Sequence, residues 1–208
     1  MRMNSGFEKT GKLPRRIPQQ ERGEQRKATM LEAAAQLFAR LGYEVTTMTA
    51  IAEKSASSIG ALYQYFPDKE TIALALRKQY SDEMDNRWTA LIEIAAGLNI
   101  AELGERIIDL MVAFLHEHPA YFCLLNASLK YKRSDQDRLR LRKRFAAVIR
   151  EKQPAMNSTD SLRLAIVALE IVKSLNPLYA AATKAERVQL VREYKLALVS
   201  YLQLKLAV

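Results

Sequence analysis

Cysteine is nearly absent from this chain: 208 residues contain one, Cys123. A single thiol excludes an intramolecular disulfide and fits a reducing compartment. Glycine and proline are sparse as well, at 7 and 6, while alanine, leucine, arginine, glutamate and lysine abound, which favours an all-helical protein. No apolar run approaches the roughly 18 residues that span a bilayer. The N-terminus lacks the apolar segment of a secretory signal. These absences predict a cytoplasmic protein with no membrane partner. Histidine is scarce too. His116 and His118 stand two apart, share no helix face, and make a poor metal site with Cys123. Cys123 has no basic neighbour in sequence to activate it and reads as an inert buried thiol. There is no carboxylate–histidine array, nucleophile motif or phosphate loop, so an enzyme built on a helical bundle finds no support. No metal and no cofactor are expected.

What the chain does have is positive charge, with 32 Lys and Arg against 23 Asp and Glu, a net +9 and an isoelectric point near 9.7. Such an excess suits a polyanionic partner, although charge alone does not select nucleic acid. The informative stretch is Thr46 to Glu70, TTMTAIAEKSASSIGALYQYFPDKE. Met48, Ile51 and Ala52 recur at helical spacing, as do Leu62 and Phe66, and the small polar residues Ser55 to Ser58 suit a turn between them. A short second helix that begins with small side chains can bring its backbone close to a DNA major groove. The pattern is a helix-turn-helix. Thr47 is placed to cap its first helix, Pro67 ends its second, and Asp68 caps the next.

With the preceding helix, this block resembles the tetracycline-repressor (TetR) family of bacterial transcription regulators, over roughly residues 25 to 72. The run from Ala34 to Tyr43, TTMTAIA at 46 to 52 and GALYQYFPDKE at 60 to 70 carry the resemblance. The family turn commonly reads Ala-Gly-Val-Ser. Here it reads Ser55-Ala56-Ser57-Ser58, without the glycine that suits a positive φ. The resemblance implies phosphate contacts from Ser58, Tyr63, Tyr65 and Lys69, with Ile59, Gly60 and Ala61 nearest the bases. Chemistry adds that these last three cannot form bidentate hydrogen bonds to guanine or adenine. Readout would lean on thymine methyls, on Gln64 and Thr49, and on DNA shape. Thr47 completes the DNA-facing set.

The expected organisation is a flexible basic arm over 1–23, a helix-turn-helix domain over 24–68, and an effector-sensing and dimerisation domain over 69–208, with about nine helices in all. The arm reads either as a solvated leader or as a phosphate-tracking segment led by Arg15 and Arg16. Beyond Lys69, expected helices span about 69–96, 100–117, 119–128, 135–152, 158–182 and 184–206, with a kink at Asn176-Pro177. The basic run from Lys130 to Arg144 reads as a solvated helix face, with a second polyanion surface or an acidic-ligand site as alternatives.

The last two helices are apolar on more than one face and need a second neighbour. In the TetR family two such helices from each subunit form a four-helix dimer interface; a plain central core is the alternative. A homodimer would read a palindromic double-stranded DNA operator. Met84, Trp88, Leu91, Met111, Phe114, Tyr121, Phe122, Asn126 and Tyr179 form a candidate lining for an unknown small-molecule effector, or else ordinary core. The function expected is a sequence-specific transcriptional repressor released by an effector. An architectural DNA-binding protein without an effector is the alternative.

Overall fold

Apolar spacing and capping residues set the helix boundaries in the computed structural model, which describes residues 19–127, 129 and 135–206. The arm positions Arg15 and Arg16, and Lys130, Lys132 and Arg133 of the basic run, lie outside the described residues. Helix α1 (Gln19–Leu41) buries Met30, Ala34, Leu37 and Phe38 along one stripe and stops at Gly42, whose φ of +84° suits only glycine well. It begins five residues before the expected Glu24, so residues 19–23 are helical rather than part of an arm. Gln19, Gln20, Glu21 and Arg22 are good helix formers, and the single Gly23 does not break the run.

Helices α2 (Met48–Lys54) and α3 (Ile59–Tyr65) follow as a tight pair. The long α4 (Lys69–Ile94) ends in a 3-10 turn at Ala95–Gly97, and α5 (Ile100–Glu117) opens on a reciprocal capping box between Asn99 and Glu102. Helices α6 (Ala120–Asn126), α7 (Asp135–Lys152), α8 (Ser158–Ala181) and α9 (Lys184–Leu206) complete an all-helical fold, with no strand among the described residues. Pro177 lies inside α8 without ending it, and the buried side-chain oxygen of its neighbour Asn176 has no hydrogen-bond partner among the described residues.

One hydrophobic core runs from the first three helices to the C-terminus, and α4 threads it. Its Ile72, Ala73 and Leu76 share this core with α1–α3, the head of the molecule, and its Tyr80, Met84, Trp88 and Leu91 lie further along it. Helix α5 packs on α9, and α8 lies between α7 and α9. By length and hydropathy alone α8 is apolar enough to cross a membrane, but Leu164, Ala165, Ala168, Leu169, Val172 and Leu175 are buried within the bundle. At the α5–α9 contact a Cβ on Gly104 would stand 2.8 Å from Val199 Cγ2, so only glycine permits this approach.

Candidate nucleic-acid interface

The second helix of the pair is anchored by two residues one turn apart. Leu62 and Phe66 are 0% and 2% exposed, and Ile51 and Ala52 of α2 are buried with them. Fully burying one such side chain contributes about 1.5–3 kcal/mol, so the α3 register is firmly held. The opposite face is then forced outward. Ser58, Ile59, Gly60, Tyr63 and Gln64 are exposed, as are Thr47 and Thr49, while Ala61 is half-buried.

The turn between the helices closes despite its missing glycine. Ala56 takes φ +50°, its N–H donates to Glu53 O (3.1 Å), and Ser57 N–H donates to Ala52 O (2.9 Å). This pair of bonds is the Schellman arrangement, in which the residue past the helix end is left-handed. Alanine there costs about 1–2 kcal/mol relative to a right-handed conformation, and the two carbonyl bonds offset that cost.

Two hydroxyls cap the pair. Thr47 Oγ1 accepts from Ala50 N–H (3.2 Å), and Ser58 Oγ accepts from Ala61 N–H (3.1 Å). Acting as acceptors in these bonds, both hydroxyls still have an O–H proton to donate. Tyr63 is 51% exposed. Tyr65 is half-buried and leans on α1: a Cβ on Gly23 would sit 3.6 Å from its hydroxyl oxygen.

Lys69 is engaged within the protein. Its ammonium donates to Tyr43 O (2.7 Å) and Glu44 O (2.9 Å) and lies 4.6 Å from the centre of the Tyr43 ring. One N–H remains for a phosphate, but the side chain also clasps the loop joining α1 to α2. From the other side, Tyr43 N–H donates to Cys123 Sγ on α6 (3.1 Å). No sequence signal links Tyr43 and Cys123, which are 80 positions apart. Burial pushes the Cys123 thiol up, which disfavours the thiolate.

The candidate effector lining separates into parts. Met84, Trp88, Leu91, Met111 and Phe114 are buried, Tyr121 and Phe122 are half-buried, and Trp88 meets Phe145 edge-on at 5.1 Å while Phe114 meets Tyr121 at 4.9 Å. Asn126 is exposed, its amide donating to Phe122 O (3.1 Å), because it ends α6 where the helix meets solvent. Tyr179 lies under the Arg187 guanidinium at 4.8 Å, at the α8–α9 corner. Sequence reading missed the cluster at the α4–α5 seam. Glu83, Glu117 and His118 bring three ligand atoms within 4.8 Å of one another. The Arg87 guanidinium bonds both carboxylates and supplies the cation they need.

Comparison with known proteins follows this geometry. A family model described as bacterial regulatory proteins, tetR family, matches residues 30–76, and one described as tetracyclin repressor-like, C-terminal domain, matches 100–202. The HTH-type transcriptional regulator YuxN of Bacillus subtilis (strain 168) is 40% identical over 58 residues, 28% of this chain and 20% of that protein. The HTH-type transcriptional regulator HbdR of Aromatoleum sp. (strain CIB) is 36% identical over 70 residues, 34% of this chain and 31% of that protein. The chain thus spans a third or less of these relatives' length. Among solved structures, a TetR-like regulator from Rhodococcus sp. RHA1 superposes with a TM-score of 0.62 at 22% identity, over 92% of this chain and 99% of that one. The SmeT–triclosan complex gives 0.62 at 16% identity, over 86% and 90%. These two likenesses show the shared fold. The matches over both the reading head and the C-terminal bundle establish that the chain belongs to the tetR family of bacterial regulatory proteins.

Proposed function

We propose that this protein is a cytoplasmic, homodimeric repressor that holds a palindromic operator and releases it when a small molecule binds its helical core. The observation that carries the reading is the exposed face of α3, fixed by Leu62 and Phe66 and presenting Ser58, Ile59, Gly60, Tyr63 and Gln64 together. Its two helix-capping hydroxyls, Tyr63 and the remaining Lys69 proton serve the phosphates; Ile59, Gly60 and Ala61, with Gln64 and Thr49, meet the base edges. Tyr65 steadies α1 and borders the same phosphate track. Support for the dimer comes from Val167 and Leu178 on α8 and Val188, Leu196 and Leu204 on α9, large apolar side chains left exposed on the two C-terminal helices. An apolar surface of this kind is covered when a second copy packs on it. The solved complex of SmeT with triclosan is consistent with a small-molecule effector in a fold of this kind.

Selection of genomic DNA fragments bound by the purified protein tests the reading, followed by a release screen. A palindromic consensus is expected, and Tyr63→Phe should weaken binding similarly on every sequence, since a phosphate contact carries no base information. A monomer that ignores duplex DNA at low ionic strength refutes the proposal. Tight binding without any consensus would make the protein architectural instead.

A further inference from the structure

A cleft of about 950 Å³ opens where the reading head meets the core, bounded by α1, α4 and the junction of α5 with α6. Its floor is low and apolar: Ala28, Leu31 and Ala35 of α1 face Ala75 and Leu76 of α4 and Ala120 of α6. Two features are not explained by packing. The first is charge. In a chain of net charge +9, the residues lining this cleft include four carboxylates, Glu24, Glu32, Asp82 and Glu117, against two lysines. Lys78 is committed to Asp82 (2.6 Å) and Arg87 to Glu117, and Gln36 donates to Glu32 (2.8 Å), which leaves Glu24 and Glu32 against the single Lys27.

The second feature is Tyr80. Its side chain lines the cleft, it is 3% exposed, and its hydroxyl makes no hydrogen bond among the described residues. No described residue competes for this hydroxyl, so it can donate to or accept from a ligand in the cleft. Burial and the nearby Glu32 and Glu83 push the phenol up to about 12, so it keeps its proton. Behind it the ring packs on His118 at 4.7 Å and on Phe114 at 6.2 Å, which fixes its direction.

We propose that this seam binds a flat organic cation: an aromatic ring system on the alanine floor, with a protonated amine held by Glu32 and by the oxygen of Tyr80. The volume is in the range of small-molecule sites, and the excess of carboxylates selects a positive ligand over a neutral or negative one of equal shape.

Isothermal titration of the full chain, without DNA, with 2-naphthylmethylamine, 2-naphthylmethanol and 2-naphthoate tests charge at constant shape. The amine is expected to bind about fivefold more tightly than the alcohol, as for one exposed ion pair at the upper end of its range. Glu32→Gln should lower amine affinity about threefold and leave the alcohol unchanged. Tyr80→Phe, which keeps the ring packing, should lower amine affinity about fivefold. Ala28→Phe at an exposed floor position should abolish binding, while the melting temperature confirms that the variant folds. Equal affinity for amine and alcohol, a preference for naphthoate, amine binding unaffected by Ala28→Phe, or no heat at millimolar amine would each overturn the proposal. Because no DNA is present, failure here leaves the operator-binding reading intact.

Discussion

Gly60→Ala separates what the reading head needs for its own fold from what it needs against DNA. Gly60 is the second residue of α3, it is exposed, and a Cβ built on it meets nothing within 4 Å. Inside the protein the added methyl is therefore free of clashes, and alanine improves helix propensity by up to about 1 kcal/mol. For a chain of this size that raises the melting temperature by about 2–4 °C. Against DNA the sign reverses. The methyl would stand out from the surface proposed to lie on base edges, where overpacking costs about 1–3 kcal/mol. The proposed dimer would meet this cost twice, so even the lower bound gives about 2 kcal/mol, or roughly 30-fold in affinity. The substitution removes no phosphate contact, so the salt dependence of binding should keep its slope. Thermal melting and anisotropy titration of a labelled operator duplex read the two halves independently. A variant that melts higher yet binds the operator within twofold of the parent would show that this face does not approach the bases. A variant that melts lower would contradict the open space around Gly60.

Three further outcomes are expected. Lys69→Met should lose about 1–2 kcal/mol in urea titration, because two charged hydrogen bonds to the Tyr43 and Glu44 carbonyls vanish, and should weaken DNA binding on every sequence; unchanged stability would show that the clasp holds nothing. Gly104→Ala should destabilise by about 1–3 kcal/mol through the clash with Val199, and Val199→Ala in the same chain should recover part of the loss; strict additivity would mean the helices do not touch there. Burial pushes Glu83 up, but the bonds from His118 and Arg87 outweigh it and hold the carboxyl below its ordinary 4.5. Its stabilising effect is thus present above that pH and lost as the pH falls through the lowered value, so Glu83→Gln should narrow its stability difference from the parent on acidification, measured by urea midpoints from neutral pH to about pH 3.

The reading head was legible because its determinants are local. The spacing of Ile51, Ala52, Leu62 and Phe66 fixes which faces turn inward, and Thr47, Asp68 and Pro67 mark the ends, so α2, α3 and the start of α4 fall where expected. Capping residues and prolines likewise placed α5, α7, α8 and α9. The start of α1 was not legible: no capping residue marks it, and Gly23 looks like a stop until Tyr65 is seen lying beside it. Effector-lining residues were hardest, for a physical reason. Helical spacing says which residues turn inward, but not which of them pack on one another, as Trp88 does on Phe145. The roles of Lys69 and Cys123 were hidden in the same way, because both act on a backbone carbonyl or N–H that is distant in sequence.

That backbone segment decides how the core can influence the head. The Tyr43–Glu44 loop leads directly into α2, and it is held by α4 through Lys69 and by α6 through Cys123. Helix α6 in turn begins just after His118, whose Nε2–H bonds Glu83 of α4 at 3.0 Å, so the two helices that hold the loop are themselves joined. A change in α5 or the core cannot shift α6 against α4 without straining this bond or the loop contacts. An effector acts only through its different affinity for the two arrangements. These bonds, with the packing of α1 on α4 and α6, carry the coupling between core and head. Cys123→Ala, which removes the weakest of them, should leave operator affinity near that of the parent, while Lys69→Met reduces both stability and operator affinity.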